Sequence, residues 1–205
     1  MKKEHKLSRR AVYICSAPVV VTVLAGFLLM GCASAPPITN LSDAYVTGLA
    51  ASARVEPLVP GGLAEQRGIR GVTNLFTNYS TRSIEDYAPE AYAETLYFRD
   101  GFKELTNRDD IVTYLLHGAE PLRACTFRFD QVTRDGRDYY FRWVMTVALQ
   151  SDPSGHADEA VGMSHIRFNA EGQVIFQQDY WDPTDVLYRR IPIARGLIGW
   201  VKSKL

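Results

Sequence analysis

Cys32 is the residue whose setting prescribes chemistry most directly. It closes Leu29-Met30-Gly31-Cys32, at the end of an apolar run from Ala11 to Met30. That run follows a basic start carrying Lys2, Lys3, Lys6, Arg9 and Arg10. A basic start, an apolar core and a small residue ahead of the cut form the general secretory pattern. A thiol directly after the cut is placed to take an acyl chain, with Gly31 as the small residue that cleavage needs. The other reactive types are not arranged for chemistry of their own. His117, His156 and His165 do not stand with carboxylates at metal-ligand spacing. Neither a Gly-rich phosphate loop nor a nucleophile motif is present. Neither a metal nor a cofactor is expected.

The N-terminal segment resembles the lipobox of bacterial lipoproteins. The resemblance implies that residues 1–31 are a signal peptide and that Cys32 becomes the lipid-bearing first residue. The membrane is then a partner through that lipid, since several acyl chains anchor stably where one does not. The alternative is an uncleaved anchor, because about 20 apolar residues just span a bilayer. Both put the folded part outside the cytoplasm, in the cell envelope. Ala33 in place of an Asp favours the outer membrane in a Gram-negative cell. The whole chain has 23 basic and 23 acidic residues. Removing the signal takes five bases and one acid (Glu4), leaving 18 basic and 22 acidic residues, a net −4. That argues against a nucleic-acid partner, which requires a basic face. Cys125 is the one remaining cysteine, so no intramolecular disulfide can form, and it reads as a small buried residue.

Residues 32–61, rich in Ala, Ser, Pro, Thr and Gly, read as a flexible tether. Apolar spacing then predicts a helix from Leu63 to Tyr79. Ser83 reads as the N-cap of a short helix reaching Glu90. Leu96 to Phe98 reads as a strand and Arg108 to Leu116 as a helix. The period changes in the second half. Arg123 to Thr133 and Asp138 to Leu149 alternate on either side of an Asp-Gly turn, a hairpin signal. Gly162 to Phe168 and Gln173 to Trp181 form a second pair. Asp182-Pro183 reads as a helix start. Pro192 interrupts that helix before an amphipathic segment, residues 192–205, whose helix begins near Ala194. There Leu197, Ile198 and Val201 share a face beside Trp200. That face either docks on its own domain or lies on an anionic membrane, with Arg195, Lys202 and Lys204 at the headgroups. Helices first and antiparallel strands after mean an α+β fold.

Three motifs in this order resemble the nuclear transport factor 2-like superfamily, with its SnoaL-like polyketide cyclases, ketosteroid isomerases and limonene epoxide hydrolase. They are Phe98-Arg99-Asp100, His165-Ile166-Arg167-Phe168-Asn169 and Asp179-Tyr180-Trp181-Asp182. The resemblance covers Leu63 to Pro183. It implies one domain, residues 62–191, built as a cone: a bent antiparallel sheet wrapped by N-terminal helices around an apolar pocket.

The resemblance also assigns candidate residues. Asp100 matches the isomerase's general base; alternatively it caps the turn before Gly101. Ser164 matches the oxyanion-binding acid, and Phe76 falls near the oxyanion Tyr. Arg142 and Asp179 match two of the hydrolase's residues, with Val144 where a second Asp stands. If Asp179 points inward, strand parity brings Ile175, Gln177 and Trp181 with it and sends Val174 and Phe176 outward. The same reasoning takes Arg142, Val144 and Thr146 inward, and Tyr139, Phe141, Trp143 and Met145 outward. Arg142 and Asp179 then form a buried pair, either a structural ion pair or a clamp for a ligand's polar head. The outward aromatic stripe forms a homodimer interface through the outer sheet face, or is covered by the last helix. His165 lies opposite Ser164, away from the pocket. Three functions follow. The first is a module binding a small apolar, lipid- or isoprenoid-like molecule with Arg142, Ser164, Gln177 and Trp181. The second is an isomerase, cyclase or hydratase using Asp100 or Asp179 for proton transfer. The third is an envelope structural or assembly protein.

Overall fold

The computed structural model describes residues 41–184, 186, 188 and 192–204. The expected signal segment, Cys32 and the start of the expected tether lie outside the described residues. Residues Ser42–Leu205 form one compact unit.

The unit opens with α1 (Leu41–Ser52), followed by α2 (Leu63–Thr77) and α3 (Thr81–Ala91). Strands β1 (Tyr92–Arg99) and β2 (Glu104–Asn107) lead to α4 (Arg108–Ala119). Then come β3 (Leu122–Asp135), β4 (Asp138–Leu149), β5 (Ala157–Phe168) and β6 (Val174–Trp181), with α5 (Pro192–Lys202) last. The six strands form one bent sheet in the order β2-β1-β6-β5-β4-β3. Only the β1–β6 pairing is parallel; the rest are antiparallel. This is the expected α+β cone.

Local chemistry accounts for the elements. Gly136 sits at φ +59 in the two-residue turn between β3 and β4, a conformation that suits a residue without Cβ. Helix α3 starts at Ser80 rather than Ser83. The Ser80 side chain accepts from the Ser83 backbone N–H (3.2 Å), and Ser83 Oγ accepts from the Ser80 N–H (3.0 Å). Ser83 thus closes a capping box from its third residue. Asn107 caps α4 by accepting from the Asp110 N–H at 2.9 Å.

Part of the expected tether is α1, and it covers the outer face of the sheet. Tyr45 meets Phe176 edge-on at 5.8 Å, and Gly48 lies directly on the Tyr97 ring. Arg167 donates to Leu49 O (2.9 Å) and Ser52 Oγ (3.0 Å), which ties one carbonyl and one hydroxyl at the helix end to the sheet.

The expected orientation of β4 is reversed. Tyr139, Phe141, Trp143 and Met145 are buried in the core, while Arg142 is exposed. An alternating strand with one wet face turns its apolar set inward and its charge outward. The aromatic stripe therefore lines the interior, and on the outer face Tyr140 stacks on His165 at 4.9 Å. On β6, the register shifts opposite Arg167 and Phe168. Ile175 is the extra residue, and Val174 joins the core in its place.

Asp182-Pro183 does not open a regular helix among the described residues. Asp182 instead accepts from the Thr184 N–H at 2.8 Å, a local turn. Pro192 is the first residue of α5, where its missing N–H costs nothing, so it starts a helix rather than interrupting one.

Candidate functional site

Inside the cone lies a cavity of about 430 Å³. Its walls are mostly apolar, with Phe76, Phe98, Phe127, Trp143, Met145 and Val147 among them. The opposite signs of exposed β3 and buried β4 residues show how the wall is made. Strand β3 packs against α2, and inward residues of both strands, Cys125, Phe127 and Phe129 with Trp143, Met145 and Val147, face the void.

Polar groups enter the cavity from two places. Strands β5 and β6 supply Ser164, Gln177 and Asp179, with Trp181 next along β6. Ser164 and Asp179 are direct cross-strand partners. The turn after β1 supplies Asp100, and α4 supplies Tyr114. Of the sequence-based candidates, Asp100, Ser164, Gln177, Asp179 and Trp181 all line the one cavity. Arg142 does not. It is exposed on the far side of β4, so no buried Arg142–Asp179 pair exists. No ion pair among the described residues includes Asp179.

Two hydrogen-bond relays reach Asp179 instead. In the first, Tyr92 Oη donates to Gln177 Oε1 at 2.9 Å. That contact orients the amide, so Gln177 Nε2 donates to both Asp179 oxygens (3.1 and 3.2 Å). In the second, Trp143 Nε1 donates to Ser164 Oγ at 3.0 Å. The Ser164 hydroxyl proton is then available to Asp179, to which it is hydrogen-bonded. Burial nevertheless dominates. It pushes the Asp179 carboxyl up to about 7, against the two donors that favour the charged form, and Asp100 adds a small upward contribution. Asp179 can therefore both hold and release a proton near neutral pH.

Asp100 has a different setting. Its Oδ1 accepts from the backbone N–H groups of Phe102 (2.7 Å) and Lys103 (2.8 Å). Its Oδ2 accepts from Tyr114 Oη at 2.5 Å. Asp100 thus caps the turn, as one sequence reading has it, and also lines the cavity. Burial, followed by the Asp100 hydrogen bond, pushes the Tyr114 phenol well above its ordinary range, so that phenol stays protonated as a donor.

Tyr92, Tyr114 and Trp143 were not among the candidates. Tyr114 carried a helical-face signal with Ile111 and Leu115, but nothing in its spacing points at Asp100. The Trp143 contact depends on Gly162, where a Cβ would stand 2.2 Å from the Trp143 ring. His165 lies on the outer face, as parity predicts, hydrogen-bonded to Asp138 Oδ1 at 2.5 Å. Cys125 is buried and lines the cavity, and burial pushes its thiol up to about 12, which keeps it unreactive.

The cavity's rim is aromatic. Phe102 meets Trp181 at 5.7 Å and Tyr188 at 6.2 Å. Val186, in the segment after β6, is fully buried against the cavity.

Known proteins share this architecture. The chain matches a ketosteroid isomerase-like protein of Catenulispora acidiphila, solved with trimethylamine, at 14% identity and TM-score 0.50. The match covers 58% of this chain and 88% of that one. AclR of Streptomyces galilaeus matches at 12% identity and TM-score 0.50, over 61% of this chain and 96% of that one. An LEH-like epoxide hydrolase of M. tuberculosis matches at 15% identity and TM-score 0.49, over 68% and 98%. At these identities the likeness is one of fold. No curated protein matches the chain. The family model for the SnoaL-like domain matches residues 72–176, which span α2 to β6 and so contain most of the cavity wall, and the chain belongs to the SnoaL-like domain family.

Proposed function

We propose that the domain binds a small, largely apolar molecule in its cone, with one polar group of the ligand resting against Asp179, Ser164 and Gln177. The observation that carries this reading is the cavity: about 430 Å³ of space between apolar walls, with few polar groups converging in it. Small-molecule sites have this size and composition. A lipid- or isoprenoid-like ligand with a single hydroxyl or carbonyl suits it. Dye binding tests the reading. The neutral apolar dye N-phenyl-1-naphthylamine should bind the purified chain saturably. Val147→Phe, which adds volume inside the cavity, should abolish that binding without loss of folding. Equal binding by both proteins would overturn it.

The domain is proposed to sit outside the cytoplasm, held to the membrane by lipid on Cys32, with the outer membrane favoured in a Gram-negative cell. Support comes from the basic start, the apolar run and Leu29-Met30-Gly31-Cys32. Labelled palmitate should enter the wild-type chain and not Cys32→Ala. Label in both would remove this placement.

A second reading, proton transfer of the isomerase or cyclase type, is favoured by the Asp179 carboxyl lying near 7. Asp179 is the better base, since Asp100 is already committed to three donors. Asp179→Asn should then abolish turnover of a substrate while retaining dye binding.

A further inference from the structure

We infer that α5 is a membrane-contact surface for anionic lipid, placed at the mouth of the cavity. The inference draws its setting from the envelope placement proposed above, but its test reads α5 alone.

Two observations hold α5 near the rim. Tyr188 packs on Phe102, and Pro192 begins the helix four residues later. Four residues span at most about 14 Å, whatever path they take. The Lys202 charge also acts on Asp182, which it helps to hold below the ordinary carboxylate range behind the larger effect of the Thr184 hydrogen bonds. The start of the helix therefore lies within about 14 Å of Tyr188 at the rim.

Its apolar face nevertheless points away from the domain. Leu197 is 62% exposed, Trp200 61% and Val201 43%. These three fall on one side at helical spacing. Gly196 and Gly199, which lie off that face, also have open space around the position of an added Cβ, so the helix is unpacked there too. The expectation that this face docks on its own domain is not met. An exposed strip of Leu, Val and Trp on a short amphipathic helix suits the boundary between headgroups and acyl chains.

Charge names the surface. After Asp185 the sequence has Arg189, Arg190, Arg195, Lys202 and Lys204 and no acid. The rest of the chain after Cys32 is acidic in balance, so this is the basic stretch of the sequence, and Lys202 and Lys204 are exposed close behind the strip. Basic residues beside an apolar strip complement an anionic bilayer. The rim carries the same chemistry, with Phe102 41% exposed and Lys103 exposed beside it. Contact at α5 would bring the cavity rim, where Phe102 and Tyr188 meet, towards the membrane. An apolar ligand could then pass between bilayer and cone without crossing water.

Collisional quenching tests this. The full chain is bound to vesicles of equal parts phosphatidylethanolamine and phosphatidylglycerol with brominated acyl chains. The emission of Trp200 is taken as wild type minus Trp200→Phe, a substitution at an exposed position. We expect severalfold quenching of that emission, less with Lys204→Glu, and little in brominated phosphatidylcholine. Equal quenching in phosphatidylcholine would overturn the anionic preference. Unquenched Trp200 on bound protein would overturn the inference outright, with blue-shifted emission pointing to a second copy and unshifted emission to water. Failure of dye binding or of palmitate labelling leaves these readings distinct, because neither involves Trp200.

Discussion

Asp138 and Asp179 lie on opposite faces of the same sheet, and their surroundings divide structure from site. Asp138 stands beneath α1. Arg167 Nε and His165 Nε2 both reach its Oδ1 at 2.5 Å, and Arg167 Nη2 reaches Oδ2 at 3.2 Å. Burial pushes the Asp138 carboxyl up, but the Arg167 and His165 hydrogen bonds and the Arg167 charge outweigh it and hold the net value low. Asp179 has two neutral donors, no cation and a void in front. A buried carboxylate left without a counter-charge is costly, and the cost appears as a raised pKa. The outer face neutralises its acid and uses the resulting network to fasten a helix.

The largest expected effect tests the unpaired acid. An ordinary Asp titrates at 3.8, and Asp179 at about 7. Between these values the folded protein binds the proton and the unfolded chain does not. Stability should therefore fall as pH rises from about 4 to 7 and level off above that, by up to about 4 kcal/mol. Asp179→Asn should remove that slope, so that the variant gains on the wild type as pH rises. Denaturant melts of both proteins across the window would show it. Parallel curves would mean that Asp179 is charged in the folded state, and the contrast with Asp138 would collapse.

The paired acid gives the next effect. Arg167→Ala removes the cation from Asp138 and two donors from the end of α1. Breaking a buried pair from one side costs about 3 kcal/mol or more. Arg167 and Asp138 retain some exposure, 12% and 22% at the side chain, so about 3 is expected. Proteolysis after Arg54 should accelerate with it, because α1 loses its hold on the sheet. A change below about 1 kcal/mol, the range of an exposed pair, would make the network ornamental.

The two faces were not equally legible in the sequence. Strand β4 runs over Asp138–Leu149 as alternation predicts, since one apolar face and one wet face demand it. Ser164, Gln177, Asp179 and Trp181 reached one cavity because period-2 parity propagates from a single inward residue. Arg142 is exposed because the same alternation, and not the likeness to a hydrolase, sets the inward side of β4. Four apolar residues at 139, 141, 143 and 145 against one arginine had already fixed the inward side. Helix α1 was hidden by its composition of Ala, Ser, Thr and Gly. Tyr45, Leu49 and Ser52 are spaced as one helical face, but their partners Phe176 and Arg167 lie more than a hundred residues away. Strand β2 is four residues long, too short for a period to register. The relays through Tyr92 and Trp143 depend on how helix and strand meet across the cone, and no local spacing encodes that.

The smallest effect concerns one relay. Ser164→Ala removes a donor from Asp179 and strands the Trp143 indole N–H, which now points at a methyl group. Losing the acceptor for that N–H should cost about 1 kcal/mol at any pH. Losing the bond to Asp179 adds a second part that depends on charge. Hydrogen bonds to an ionised group are stronger than those between neutral groups, so the loss should be larger by about 1 kcal/mol at pH 8 than at pH 5. The direction of the pKa change is fixed by the same reasoning. With one donor fewer the charged form is less favoured, and Asp179 should titrate higher than in the wild type. Denaturant melts at the two pH values separate the parts. Equal costs at pH 5 and pH 8 would mean that the Ser164 hydroxyl proton faces elsewhere. Gln177 would then be the sole group addressing the carboxylate, and the polar end of the cavity would be set by β6 alone.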